Sequence, residues 1–111
     1  MKTLNLEYPT CPVRNVLSRF SDKWSLLVLS VLSSESKLRY GEINKKIPDI
    51  SQKMLTHTLK NLEEYNLVNR KSYPEIPPKV EYSLTETGKS LLPAIQMLID
   101  WASTHFNEVN S

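Results

Sequence analysis

One cysteine, Cys11, occurs in 111 residues, so no disulfide can close within the chain and only a second chain or a small thiol could pair with it. Long apolar runs are missing as well. The longest aliphatic stretch covers residues 26–29, far short of the ~20 apolar residues of a membrane helix. Residues 1–10 lack the apolar core of a signal peptide, so the expected location is the cytoplasm, with no membrane partner. Glycine is scarce, at 2 residues, and no glycine-rich phosphate loop is present. The two histidines, His57 and His105, lie far apart, and no metal-ligand spacing or nucleophile-and-base pairing stands out. The expectation is no metal, no cofactor and no enzymatic activity.

What is present is an ordinary globular composition, 40% hydrophobic and 23% charged, in a length that suits about one domain. Residues 1–10 read as an N-terminal arm and residues 11–111 as the folded domain. The net charge is only +2 but is spread unevenly. Within residues 37–60, Lys37, Arg39, Lys45, Lys46, Lys53 and Lys60 stand against Glu42 and Asp49 alone, while the tail from residue 85 is acidic. Such a basic segment attracts phosphates, although a merely solvated face would carry the same charge.

The hydrophobic spacing is helical at both ends of the chain. Val13, Val16, Leu17 and Phe20 form one stripe, and Trp24, Leu27, Val28, Val31 and Leu32 form a second. A short strand is expected at residues 38–40, followed by a helix through Ile43 and Ile47 that Pro48 stops. Ser51 suits the cap of a fourth helix with Leu55, Leu59 and Leu62 on its buried side, and Asn66 suits the left-handed position that closes it. The period then drops to two, with strands expected at residues 67–73 and 79–84 and a proline-rich tip between them. Thr85 should cap a last helix that kinks at Pro93 and is apolar on nearly every side, and a helix of that kind needs a partner. The fold class is therefore mainly α with a small β-hairpin.

That order of elements is a winged helix-turn-helix, with the fourth helix as the reading helix and the hairpin as the wing. At ~100° per residue, Lys53, Thr56, His57 and Lys60 turn away from the leucines. Lysines and the helix N-terminus suit phosphate oxygens, while Gln52, Thr56 and His57 suit base edges. The candidate DNA contacts are Arg39, Ser51, Gln52, Lys53, Thr56, His57, Lys60 and, on the wing, Arg70, Lys71 and Lys79. Val13 and Leu17 from the first helix, with Leu98, Trp101 and Ala102 from the last, are the candidate dimer contacts. Expected partners are a duplex DNA operator, a second copy of the chain, and a small-molecule or electrophile inducer.

The runs Lys23-Trp24-Ser25-Leu26-Leu27, Arg39-Tyr40-Gly41-Glu42-Ile43, Ile50-Ser51-Gln52-Lys53-Met54-Leu55-Thr56, Leu59-Lys60-Asn61-Leu62-Glu63 and Pro77-Pro78-Lys79-Val80-Glu81-Tyr82-Ser83-Leu84-Thr85 carry a resemblance. With Cys11-Pro12-Val13, Gly88 and Trp101, they resemble the HxlR family of bacterial transcription regulators over residues 11–101. The resemblance implies a dimer built from the first and last helices, a recognition helix over residues 51–65 and a wing over residues 73–79. The chain departs from the family pattern at Ser21-Asp22 and Asn66, where glycines are common, and at His57, where Gln or Arg is common. The operator sequence therefore does not carry over.

Two alternatives belong beside this reading. A winged helix can bind protein instead of DNA, but such a face usually shows exposed apolar or aromatic groups where this helix has Lys53, Thr56, His57 and Lys60. Cys11 has two roles open to it. Before Pro12 at a helix start, with Arg14 one turn on, its thiol would be acidified and reactive. An inert cysteine that caps or packs the helix fits the same position. The resemblance implies that a reactive role is available, because some family members respond to thiol-reactive compounds through a cysteine at the matching place, and both roles stay open.

Overall fold

Three short polar side chains set where the main helices begin. In the computed structural model, which describes residues 12–109, the Asp22 carboxylate accepts the Ser25 N–H at 2.9 Å and the Ser25 hydroxyl at 2.7 Å. Partial burial works against the Asp22 charge, but these hydrogen bonds outweigh it and hold the carboxyl below its usual pKa. Ser51 accepts the Met54 N–H at 3.0 Å, and Thr85 accepts the Gly88 N–H at 2.9 Å. Each cap satisfies a donor that helix geometry leaves orphaned.

The elements run α1 (Pro12–Leu17), α2 (Lys23–Ser33), β1 (Leu38–Arg39), α3 (Tyr40–Lys46), α4 (Gln52–Glu64), β2 (Val68–Tyr73), β3 (Lys79–Leu84), α5 (Glu86–Thr104) and α6 (Phe106–Val109). The sheet has three strands in the order β1-β3-β2, all antiparallel, and β1 adds its two residues to β3 by pairing Leu38 with Tyr82 and Arg39 with Glu81. The hairpin register runs from Val68 opposite Leu84 to Tyr73 opposite Lys79. Val28, Leu29 and Leu32 of α2 meet Ile43, Leu55, Leu59, Leu62, Val68, Leu84 and Ile95 in one buried core. Each fully buried leucine there is worth roughly 1.5–3 kcal/mol of transfer free energy.

Several expected boundaries move, most by one residue: α3 ends at Lys46 and β2 begins at Val68. The helix through Val13 stops at Leu17, because residues 18–20 tighten into a turn in which Arg19 N–H bonds Val16 O and Phe20 N–H bonds Leu17 O. Tyr40 opens α3 instead of ending the strand, since the Glu42 carboxylate accepts the Arg39 N–H at 2.8 Å and fixes the helix start one residue early. The tight turn after α3 is present, with the Ile50 N–H on Ile47 O.

The joint between α4 and α5 carries several hydrogen bonds. Asn66 adopts φ 61°, the left-handed conformation, so that Asn66 N–H reaches Glu63 O and Leu67 N–H reaches Leu62 O. Thr85 donates its hydroxyl to Asn66 O at 2.7 Å, and its N–H bonds Leu67 O at 3.1 Å. Gly88 sits buried directly over Leu67, where a Cβ would approach the Leu67 carbonyl oxygen far inside van der Waals contact distance. The last helix is thus pinned to the end of α4 at its first turn, and Pro93 lies within it.

Candidate nucleic-acid interface

The α4 sequence splits cleanly by burial. Leu55, Thr58, Leu59 and Leu62 are buried, whereas Gln52, Lys53, Thr56, His57 and Lys60 are all exposed. The polar face expected from the helical wheel is therefore a real surface, and it begins at a helix N-terminus. By helix geometry the N–H groups of Gln52 and Lys53 have no acceptor within the helix, which suits an oxygen of a phosphate. The exposed cations Lys45 and Lys46 lie just upstream on α3.

Neighbouring groups fix two of the exposed side chains. His57 Nε2 lies 3.1 Å from Asn61 Nδ2, one turn along α4. The Tyr40 hydroxyl donates to Gln52 O at 2.9 Å and lies 3.2 Å from Thr56 Oγ1. Tyr40 is a site residue that the sequence did not reveal. It lies 16 positions before Thr56 and nothing in its local pattern marks its hydroxyl as a tether.

On the wing the structure separates the expected cations. Arg70 donates to the Ser72 hydroxyl at 3.1 Å, and both Arg70 and Lys71 are exposed. Lys79 is engaged: its ammonium lies 3.7 Å from Glu81 and 5.0 Å from the centre of the Tyr73 ring, whose other approach, at 5.1 Å, is by Lys71. Lys37 also lies 3.7 Å from Glu81. The Tyr73 hydroxyl first, then Lys37, Lys79 and Arg39, hold the Glu81 carboxyl below its usual pKa. Glu81 and Tyr73, unremarked in the sequence, therefore organise the base of the wing. At its tip Ile76 is fully exposed, between Pro74 and Pro77-Pro78. Arg39 is exposed at the start of α3, and Ser51 is committed to its cap.

The remaining expected site lies at the ends of the chain. Val13 and Leu17 on α1, and Leu98, Trp101 and Ala102 on α5, are all exposed, together with Met97, Phe106 and Val109. Trp101 is 53% exposed and Met97 74% exposed. His105 stacks on Trp101 with ring centres 4.5 Å apart and places Nδ1 2.9 Å from Trp101 O. Cys11 and the arm of residues 1–10 lie outside the described residues. Among the described residues no group of three or more His, Cys, Asp or Glu side chains could hold a metal, and no helix is long and apolar enough to cross a membrane.

A helix-turn-helix of α3 and α4, a β-hairpin directly after it and an exposed cationic face on α4 define a winged-helix DNA-binding protein. The comparisons with known proteins agree. Residues 19–110 match the model of the HxlR-like helix-turn-helix family, and the chain belongs to that family of transcription regulators. The chain is 47% identical over 95 residues to an uncharacterized HTH-type transcriptional regulator of Methanothermobacter thermautotrophicus, covering 86% of this chain and 72% of that protein. Among solved structures it resembles the redox regulator HypR in its oxidized form, with TM-score 0.79, 37% identity and coverage of 85% of this chain and 96% of that one. It also resembles diamide-treated YodB from B. subtilis, with TM-score 0.72, 39% identity and coverage of 87% and 96%.

Proposed function

We propose that the protein acts in the cytoplasm as a homodimer that binds a pseudo-palindromic duplex operator, with α4 in the major groove and the β2–β3 hairpin against the sugar-phosphate backbone. The observation that carries this reading is the exposed face of α4, where Lys53 and Lys60 flank Thr56 and His57 beside a capped helix N-terminus. Dimerisation is supported by the large apolar side chains of α1 and α5 that a single chain leaves in water, a pattern that marks interfaces. A two-fold axis through such an interface sets the two α4 helices on successive major grooves.

The signal is thiol chemistry at Cys11. This rests on the likeness to a regulator described as a redox regulator and to one solved after diamide treatment. Diamide takes two electrons and two protons from two thiols, becoming a hydrazine while a disulfide forms. The second thiol is the other protomer's Cys11 or a small cellular thiol.

One experiment tests both parts. DNA that the protein retains from a fragmented genome is footprinted and then titrated with diamide. Two protected half-sites should appear about one helical turn, ~34 Å, apart. Diamide should release the wild type while Cys11→Ser stays bound. A single unpaired footprint contradicts the dimer, and equal release of both proteins removes Cys11 from the signal.

A further inference from the structure

The hydroxyl groups at the start of α4 form a closed chain. Tyr40 has one hydroxyl proton, and the carbonyl oxygen of Gln52, 2.9 Å away, can only accept it. The Tyr40 oxygen is then left as the acceptor for Thr56, whose Oγ1 lies 3.2 Å off. Both protons are spent inside the protein. Thr56 itself is exposed, on the same face as Lys53, His57 and Lys60. Gln52 O is also the carbonyl four residues before Thr56, the acceptor to which a helical threonine commonly turns its own hydroxyl. Here Tyr40 occupies it, so Thr56 is oriented by a side chain from another helix.

We propose that Thr56 reads DNA through its methyl group and not through its hydroxyl, and that its target is the 5-methyl of a thymine in the major groove. With its proton held by Tyr40, the hydroxyl has nothing to donate to N7 or O6 of guanine, N7 of adenine or O4 of thymine. The oxygen keeps a lone pair that could accept only from the amino groups of adenine or cytosine, and at a thymine, which offers no amino group, the contact left to Thr56 is methyl against methyl. Tyr40 is a positioning residue, because it touches no base in this scheme and fixes which end of Thr56 faces the groove. The inference rests on α4 being the DNA-reading helix.

The test replaces thymine by uracil, which lacks only the 5-methyl group, one position at a time in a duplex retained by the wild type. Affinity should fall about four-fold at one position of each half-site, the worth of one methyl group removed from water. Thr56→Val keeps the methyl and should retain this thymine-over-uracil preference. Thr56→Ser keeps the hydroxyl and should lose it, with melting temperatures confirming that both variants are folded. Tyr40→Phe frees the Thr56 proton and should broaden base preference at that same position and nowhere else. Preference retained by Thr56→Ser, lost by Thr56→Val, or absent at every position would overturn the inference while leaving α4 as the reading helix. A wild type that retains no duplex at all would overturn both readings together.

Discussion

Replacing Leu98 and Trp101 together by Asp should turn the protein into monomers by analytical ultracentrifugation and lower affinity for a two-half-site operator by ~10²–10⁴-fold. The figure is the usual gain from making a second binding event intramolecular. The physical reason lies in where these residues stand. Leu98 is 51% exposed and Trp101 53% exposed in one chain, and the only ring stacked on the indole is that of His105, on the same helical turn among the described residues. Neither side chain belongs to the chain's own core, where Ile95 is the buried apolar residue of α5. The double variant should therefore keep a melting transition at the wild-type monomer's level and still bind a single half-site weakly. A dimer that survives places the interface away from α5.

Gly88→Ala should be the most damaging single-methyl change in the described chain. The added Cβ meets the Leu67 carbonyl oxygen, which already accepts the Thr85 N–H, and lies 3.3 Å from Leu84 Cδ2. A flexible side chain could swing aside, but a backbone tied into the α4 terminus cannot do so cheaply. Overpacking of this kind costs roughly 1–3 kcal/mol or more. For a domain of this size that is a fall in melting temperature of about 5–20 °C. Because the joint holds α5 against the end of α4, the variant should also misplace the two reading helices relative to each other. Operator affinity should fall even at temperatures where the variant is folded. An unchanged melting temperature would show that the joint yields.

Much of this was legible in the sequence, for identifiable reasons. The leucines of α4 recur at helical spacing, Ser51 and Thr85 are efficient caps, and Asn66 tolerates a positive φ, so local chemistry set those elements. The outward set Lys53, Thr56, His57 and Lys60 followed from helix geometry alone and is exposed as expected. What escaped is long-range. A two-residue strand such as β1 has no period to detect, and its partner β3 lies some forty residues on. Lys79 reads as a free wing cation until Glu81 and Tyr73 are seen to engage it. The Tyr40 tether could not be read at all, because it depends on how α3 packs against the first turn of α4.

The central claim is that the exposed face of α4 meets duplex DNA, and a salt series of anisotropy titrations tests it most directly. Wild type, Lys53→Ala, Lys60→Ala and the double variant are compared on one footprinted operator and on a random duplex. Each lysine that neutralises a phosphate contributes about 0.9 to the slope of log affinity against log salt per protomer. Each single substitution should therefore weaken binding to both duplexes and flatten the slope by about 1 for every phosphate no longer neutralised, with the double variant flattest of all. Wild-type affinity and an unchanged slope in the double variant would contradict the account, because the face built around Lys53 and Lys60 would then not be the one that touches DNA.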